Sequence, residues 1–349
     1  MKRHGSTLNL MGFALLAFLP TLAAAQYTVV VGGLSSPRGL TFGPGGVLYV
    51  AQAGSGGNTS AITKIDNPYA ANPTTSDVLT GLISVGGGGE FIGAAGISAL
   101  GNGNIYAIMG VSSHEGPYPL GHLLKVSQGG QFRDVADDGD FDYAWSQTHQ
   151  DLAPLDFPDS NPYGILALPG KIYITNAGTN TLDLLGPDGR EKILAFFPNS
   201  ADLHDATPTC VAQGPDGALY IGTLSFVDSI IHGPSAQVYR VDPSAANPDD
   251  LNSVTHIATL WTSGLGPING CAFGPDGSFY ASEYFTDIPF GEDGDVVKIP
   301  FDNPGQHISL TGKTLVFPGG VAVGADGSVF VSNGSGEVPE GEVVRLTNH

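Results

Sequence analysis

The chain has 349 residues, of which 33 are acidic and 13 are lysine or arginine, for a formal net charge of −20 at pH 7. A chain this acidic lacks the basic patch that nucleic acid or an anionic membrane surface requires, so neither is an expected partner. Glycine, with 51 residues, is about twice its usual ~7% share, and no long amphipathic helical pattern is visible, so the natural class is turn-dense and all-β.

The first 25 residues read as an export address. "MKRHGSTLN" is a basic head, "LMGFALLAFLP" is an apolar stretch short for a bilayer, and "TLAAAQ" offers small residues for cleavage after Ala25. The expectation is a signal peptide over residues 1–25, a single domain over 26–349, and a periplasmic or extracellular location. No later run of some 18 apolar residues follows, and no cysteine stands at the cleavage site for lipidation, so no membrane anchor is expected.

One unit then recurs: a small residue, several apolar positions, a Gly-rich turn and an aromatic strand. Six copies are legible, beginning "RGLTFGPGGVLYVA" at Arg38, "AGISALGNGNIYAI" at Ala95, "YGILALPGKIYIT" at Tyr163, "TCVAQGPDGALYIG" at Thr209, "NGCAFGPDGSFYAS" at Asn269 and "GGVAVGADGSVFVS" at Gly319. The turn chemistry explains the hairpin in each, since Pro215 presets φ and Asp216-Gly217 closes the turn. The aromatic markers Tyr49, Tyr106, Tyr173, Tyr220, Tyr280 and Phe330 are spaced by 57, 67, 47, 60 and 50 residues, slightly more than the roughly 40–50 of a four-stranded propeller blade.

Third strands follow as "AITKI" (61–65), "HLLKV" (122–126), "QVYRV" (237–241), "DVVKI" (295–299) and "EVVRL" (342–346), and fourth strands as "KILAFF" (192–197) and "THIATL" (255–260). Nothing remains after "EVVRLTNH" to supply the last outer strand except "YTVVVGG" (27–33). The reading is a six-bladed β-propeller closed by its N-terminal strand, which removes an open sheet edge.

The two cysteines are read as occupying one repeat position in adjacent blades, where other copies carry Gly39, Gly96, Gly164 and Gly320. Equivalent points on neighbouring inner strands should exceed the ~7 Å Cα limit for a bridge, so Cys210 and Cys271 are expected to be buried thiols.

Long loops gather on one face: residues 110–121, 136–160, 198–206, 223–235 and 283–294. They carry His114, His149, His204 and His232 with Tyr118, Tyr143, Trp145, Phe226, Tyr284 and Phe285, a composition suited to a small, partly apolar ligand or simply to stapling the loops down. At the inner-strand entrances Arg38, Ala95, Tyr163, Thr209, Asn269 and Gly319 should line the channel mouth. Arg38 is the informative member, because a guanidinium there can hold a carboxylate or phenolate or else pair with a nearby acid. "DDGDFD" (137–142) sets Asp138, Asp140 and Asp142 at alternating positions, as in calcium loops, but counting twelve from Asp138 gives His149 instead of the bidentate Glu. A solvated acidic loop is the plainer reading, with Ca2+ the one candidate ion.

The run "DSNPYGILALPGKIYITNAGTNTLDLLGPDG" (159–189), with "PTCVAQGPDGALYIG" (208–222), "AQVYRVDP" (236–243) and the closing "GEVVRL", resembles the ScyD/ScyE family of extracytoplasmic propellers, named for scytonemin pigment biosynthesis. Ser160-Asn161-Pro162-Tyr163-Gly164 is the most specific part, and the chain departs from the pattern at 175–180 and in the loop at 222–235. The resemblance implies fold and export and carries no catalytic residues.

Gluconolactonase-like hydrolases are similar in architecture and hold a divalent metal with carboxylates and amides at the channel mouth; here those positions offer only Asn269 beside Arg38, Tyr163 and Thr209. Three functions stand after the sequence. The first is binding of a small aromatic or anionic molecule at the loop-rich face by Arg38, Tyr163, Asn269, His204, Glu283 and Tyr284, with a place as an accessory enzyme of secondary metabolism. The second is a metal-dependent hydrolase or lyase of the gluconolactonase or virginiamycin B lyase type, using loop ligands such as Glu283, His204 or His149. The third is a non-catalytic protein-binding propeller.

Overall fold

A computed structural model describes residues 27–346 except 88–89, 113, 128, 287–290, 292 and 337–339; the expected signal peptide at 1–25 lies outside the described residues. Six small antiparallel sheets form the blades of a six-bladed β-propeller, in the order expected. Blades 1 to 5 run outward in chain order, starting at Pro37–Phe42, Ala94–Ala99, Pro162–Leu168, Pro208–Gln213 and Ile268–Phe273. Blade 6 is built from both ends of the chain: Val321–Val323, Val329–Asn333 and Gly341–Leu346 are completed on the outside by Tyr27–Leu34. Tyr27 lies opposite Leu346 and Val29 opposite Val344, so the last sheet has no missing strand.

The recurrent turn folds for the reasons its residues give. In "GPDG", Gly217 takes φ 81° and Gly277 φ 78°, the left-handed region glycine reaches without strain. The aspartate does a second job, because Asp216 accepts from the Ala218 amide and from the Tyr220 hydroxyl at 3.2 Å each, and Asp276 accepts from Tyr280 likewise. In blades 4 and 5 the turn and the aromatic marker are thus joined by a hydrogen bond. Tyr173, Tyr220, Tyr280 and Phe330 are all buried between blades.

Around the axis the inner strands approach one another backbone to backbone. A methyl group on Gly96 would sit 2.5 Å from the Tyr163 carbonyl oxygen, one on Gly164 2.5 Å from that of Thr209, one on Gly270 2.5 Å from that of Gly319, and one on Gly320 2.5 Å from that of Arg38. The marker glycine therefore serves close packing between blades and not turn geometry.

Blade 4 breaks this ring, and there the thiol expectation fails. Cys210 and Cys271 form a disulfide with a Cα separation of 5.7 Å. The register assumed above was one residue off: Gly270 occupies the position equivalent to Cys210, and Cys271 stands one residue further along its strand. That offset, combined with the close approach the glycines allow, brings the sulfurs within bonding range. A second correction concerns 255–260, where Leu251–His256 forms a short helix and the outer strand starts at Thr259. A third concerns Asp138, Asp140 and Asp142, which lie on a helix, α1 (Asp138–Thr148), capped by Asp137, whose carboxylate accepts from the Asp140 amide at 3.0 Å. Helical periodicity then splits the trio: Asp138 and Asp142, one turn apart, face inward, while Asp140 faces out and pairs with His114 at 2.5 Å.

Candidate functional site

Each of the first five inner strands begins with a β-bulge. In blades 2 to 5 the extra residues are Ala95, Tyr163, Thr209 and Asn269, and in blade 1 the slip falls between Pro37 and Leu40. A bulge re-aims the residue it carries, here toward the axis. Arg38, Ala95, Tyr163, Thr209 and Asn269 accordingly line the upper channel as expected, with Gly320 in place of Gly319.

Arg38 is 5% exposed and makes three hydrogen bonds: Nη1 to the Tyr163 hydroxyl at 2.5 Å, and Nη2 to the Phe91 carbonyl at 2.8 Å and to the Glu90 carboxylate at 3.2 Å. Its Nε is buried with no partner among the described residues. The Tyr163 hydroxyl donates in turn to Asn269 Oδ1 at 2.7 Å, and Asn269 Nδ2 donates to the Pro318 carbonyl at 3.4 Å. A polar chain thus crosses the axis from blade 1 to blade 5. Burial works against the charge of Arg38, but Tyr163 and Glu90 beside it hold its pKa above the ordinary value. Burial likewise raises the Tyr163 phenol, with Arg38 pulling the other way.

The cavity around this chain measures about 60 Å3, room for a carboxylate group but not for a whole aromatic ligand. Below it the channel opens at the opposite face as a funnel of about 290 Å3 walled by Phe42, Ile97, Ile165, Val211 and Phe273, without a charged residue. The charge chemistry of the axis is therefore confined to the Arg38 end.

Of the six residues singled out from the sequence, Arg38, Tyr163 and Asn269 meet directly, and Tyr284 lies close enough to act on the charge of Arg38. Tyr284 stacks obliquely on Phe317 at 4.9 Å and edge-on with Phe285, which meets Phe226 at 5.4 Å. Phe226 and Val227 on the helix α2 (Phe226–His232), with Leu203 beside blade 4, are exposed apolar side chains on the looped face. His204 and Glu283 are engaged elsewhere. His204 Nδ1 pairs with Asp228 at 2.6 Å, and Glu283 accepts from the Gly266 amide at 2.7 Å while burial raises its pKa. His149 is stacked on Trp145 and bonded to its carbonyl.

Glu90 is the site residue that sequence reasoning passed over. It closes the glycine run at 86–90, which in sequence suggests only a flexible connection, and it starts the short last strand of blade 1, Glu90–Ile92, which returns it to Arg38 on the first strand of the same sheet.

No protein-family model matches the chain, and no curated protein matches it. Solved structures do match in fold. A gluconolactonase from Xanthomonas campestris aligns with TM-score 0.59 at 13% identity over 94% of this chain and 93% of its own. A luciferin-regenerating enzyme aligns at 0.56 and 12% identity over 93% and 96%, and virginiamycin B lyase from Staphylococcus aureus at 0.53 and 14% identity over 93% and 86%. The chain is a six-bladed propeller of this architectural group. Identities so low carry the fold alone.

Proposed function

We propose that the chain is an exported, ScyD/ScyE-like propeller whose looped face binds a small aromatic molecule bearing a carboxylate or phenolate, with Arg38 as the anchor. The observation that carries this reading is the Glu90 contact. Arg38 is almost wholly buried, whereas the carboxylate it holds is 42% exposed and sits 3.2 Å away. An incoming carboxylate can replace that resident one without leaving a buried charge unpaired, so Glu90 marks what the guanidinium recognises. Tyr163 and Asn269 fix the guanidinium from the other side. Tyr284 and Phe226, backed by the buried ring of Phe285, offer an apolar wall for the body of the ligand. Export is supported by the Cys210–Cys271 disulfide, a bond that persists in oxidising compartments.

A metal-dependent hydrolase is not favoured at the axis, where a divalent cation would face the buried guanidinium of Arg38. The test is calorimetric titration with 4-hydroxybenzoate as probe and 4-hydroxybenzamide as its neutral counterpart. The acid should bind more tightly than the amide, Arg38→Gln should weaken the acid by about tenfold or more (~1.4 kcal/mol), and Glu90→Ala should strengthen it. Equal affinity in the Arg38→Gln and native proteins refutes the assignment.

A further inference from the structure

Away from the axis, blades 2 and 3 enclose a second set of charged groups. Asp138 and Asp142 project from α1, and Asp183 from the blade 3 strand Thr181–Leu185; all three are fully buried. One carboxylate oxygen from each lies within 4.8 Å of the other two. Asn176 Nδ2 donates to Asp142 at 2.6 Å, to Asp138 Oδ2 at 3.4 Å and to Ser160 Oγ at 3.0 Å, and the Thr181 hydroxyl reaches Asp183 Oδ2 at 3.2 Å. Among the described residues no lysine, arginine or histidine forms an ion pair with any of the three.

We propose that Asp138, Asp142 and Asp183 form a binding site for a hard divalent cation, Ca2+ in the first instance, that fastens α1 and its loop to blade 3. Three carboxylates cannot share a dry interior without protons or a cation to compensate them. The remaining oxygens favour the cation. Among the described residues Asp138 Oδ1 and Asp183 Oδ1 are buried with no hydrogen-bond donor in reach, so a bare anion at either has nothing to compensate it, and a single proton shared between neighbouring acids does not serve both. A cation satisfies both at once. The groups able to ligate a cation here are all oxygen, the carboxylates with the hydroxyls of Ser160, Thr179 and Thr181, while the Asn176 amide nitrogen beside them holds Asp138 and Asp142 in place by donating to both. Such a set suits Ca2+ or Mg2+ and not the softer metals that sulfur and imidazole select.

The site differs from the alternating trio read from sequence. Asp183 takes the place of Asp140, and the ion would tie secondary structure together instead of filling a calcium loop. Its consequence lies at the looped face, because α1 also carries Tyr143, stacked on His114 at 4.2 Å, and Trp145.

The test uses the full mature protein. Elemental analysis of protein purified without chelator should give one calcium or magnesium per chain. After treatment with EDTA and desalting, thermal unfolding followed with added CaCl2 or MgCl2 alone should show a rise in Tm of several degrees at millimolar ion. Asp183→Asn should weaken the ion at least tenfold, Asp138→Asn should do the same, and Asp140→Asn should leave the response as in the native chain. A native protein free of divalent metal whose Tm ignores Ca2+, Mg2+ and Mn2+ overturns the proposal. So does a bound ion whose affinity survives both Asp183→Asn and Asp138→Asn. Should either variant fail to fold, the metal content and ion response of the native protein still decide.

Discussion

Removing the bridge between blades 4 and 5 tests the least expected feature of the fold. In the double variant Cys210→Ala, Cys271→Ala the unfolded chain regains the freedom of a loop spanning 61 residues, which the chain-entropy relation sets at about 4 kcal/mol. Cys210 is only 6% exposed, so removing its sulfur also leaves a small cavity, but the side chains are short and this adds modestly to that figure. For a propeller of this size an unfolding entropy of ~2.1 cal/mol/K per residue converts the loss into a fall in Tm of about 6 °C. The assay is thermal and urea unfolding of the native and double-variant proteins, with and without dithiothreitol, preceded by thiol titration of the unfolded native chain. That titration should find no free thiol, and reductant should lower the native Tm to that of the variant. Two titratable thiols, or a variant within about 1 kcal/mol of the native protein, would refute the argument.

Other perturbations read different parts of the structure. Burial, and then Asp156, raises Asp205 to about 7. An acid held neutral in the fold loses stability as pH rises from its unfolded value near 4 through 7. Asp205→Asn should therefore leave stability unchanged below pH 4 and raise it above pH 7 by roughly 1–3 kcal/mol, read from urea midpoints across pH. Asp276 goes the opposite way: burial opposes its charge, yet Lys298 and Ser278 hold it down to about 2. Its contribution is present above pH 4 and disappears as pH falls through 2, and since the side chain is 40% exposed Asp276→Asn should flatten acid unfolding by under about 1 kcal/mol. Gly96→Ala places a methyl 2.5 Å from the Tyr163 carbonyl and should cost about 2 kcal/mol or more, whereas Gly101→Ala, with open space around it, should be close to neutral in the same melt.

Blade number, blade order and closure by residues 27–34 were all legible, because each depends on local turn chemistry repeated along the chain. Arg38, Tyr163 and Asn269 were legible for the same reason: they hold one repeat position, and the repeat carries them to one axis. What escaped depends on contacts between distant segments. Glu90 reaches Arg38 only because the chain returns, 52 residues on, as the irregular last strand of blade 1. Cys210 and Cys271 differ by one residue in register, and a single-residue error in alignment reversed the conclusion. The helix over 138–148 hid behind a glycine and three aspartates, residues that favour turns, and its N-cap is itself an aspartate. Asp183 did leave a sign: an acid between leucines in "TLDLL", on a strand whose neighbours are buried, is a charge placed where water does not reach.

The ring of inner-strand glycines bears on how the protein could acquire a new specificity. Backbone touching backbone from blade to blade means that the spacing of the inner strands is fixed by main chain, and no change of side chain can alter it without separating the blades. Selection for a differently shaped guest would have to act on the few side chains that cross this frame, Arg38, Tyr163 and Asn269, and on the loops of the looped face. The strand frame behaves as a fixed gauge, and diversification among propellers built this way falls to what is mounted inside and above it.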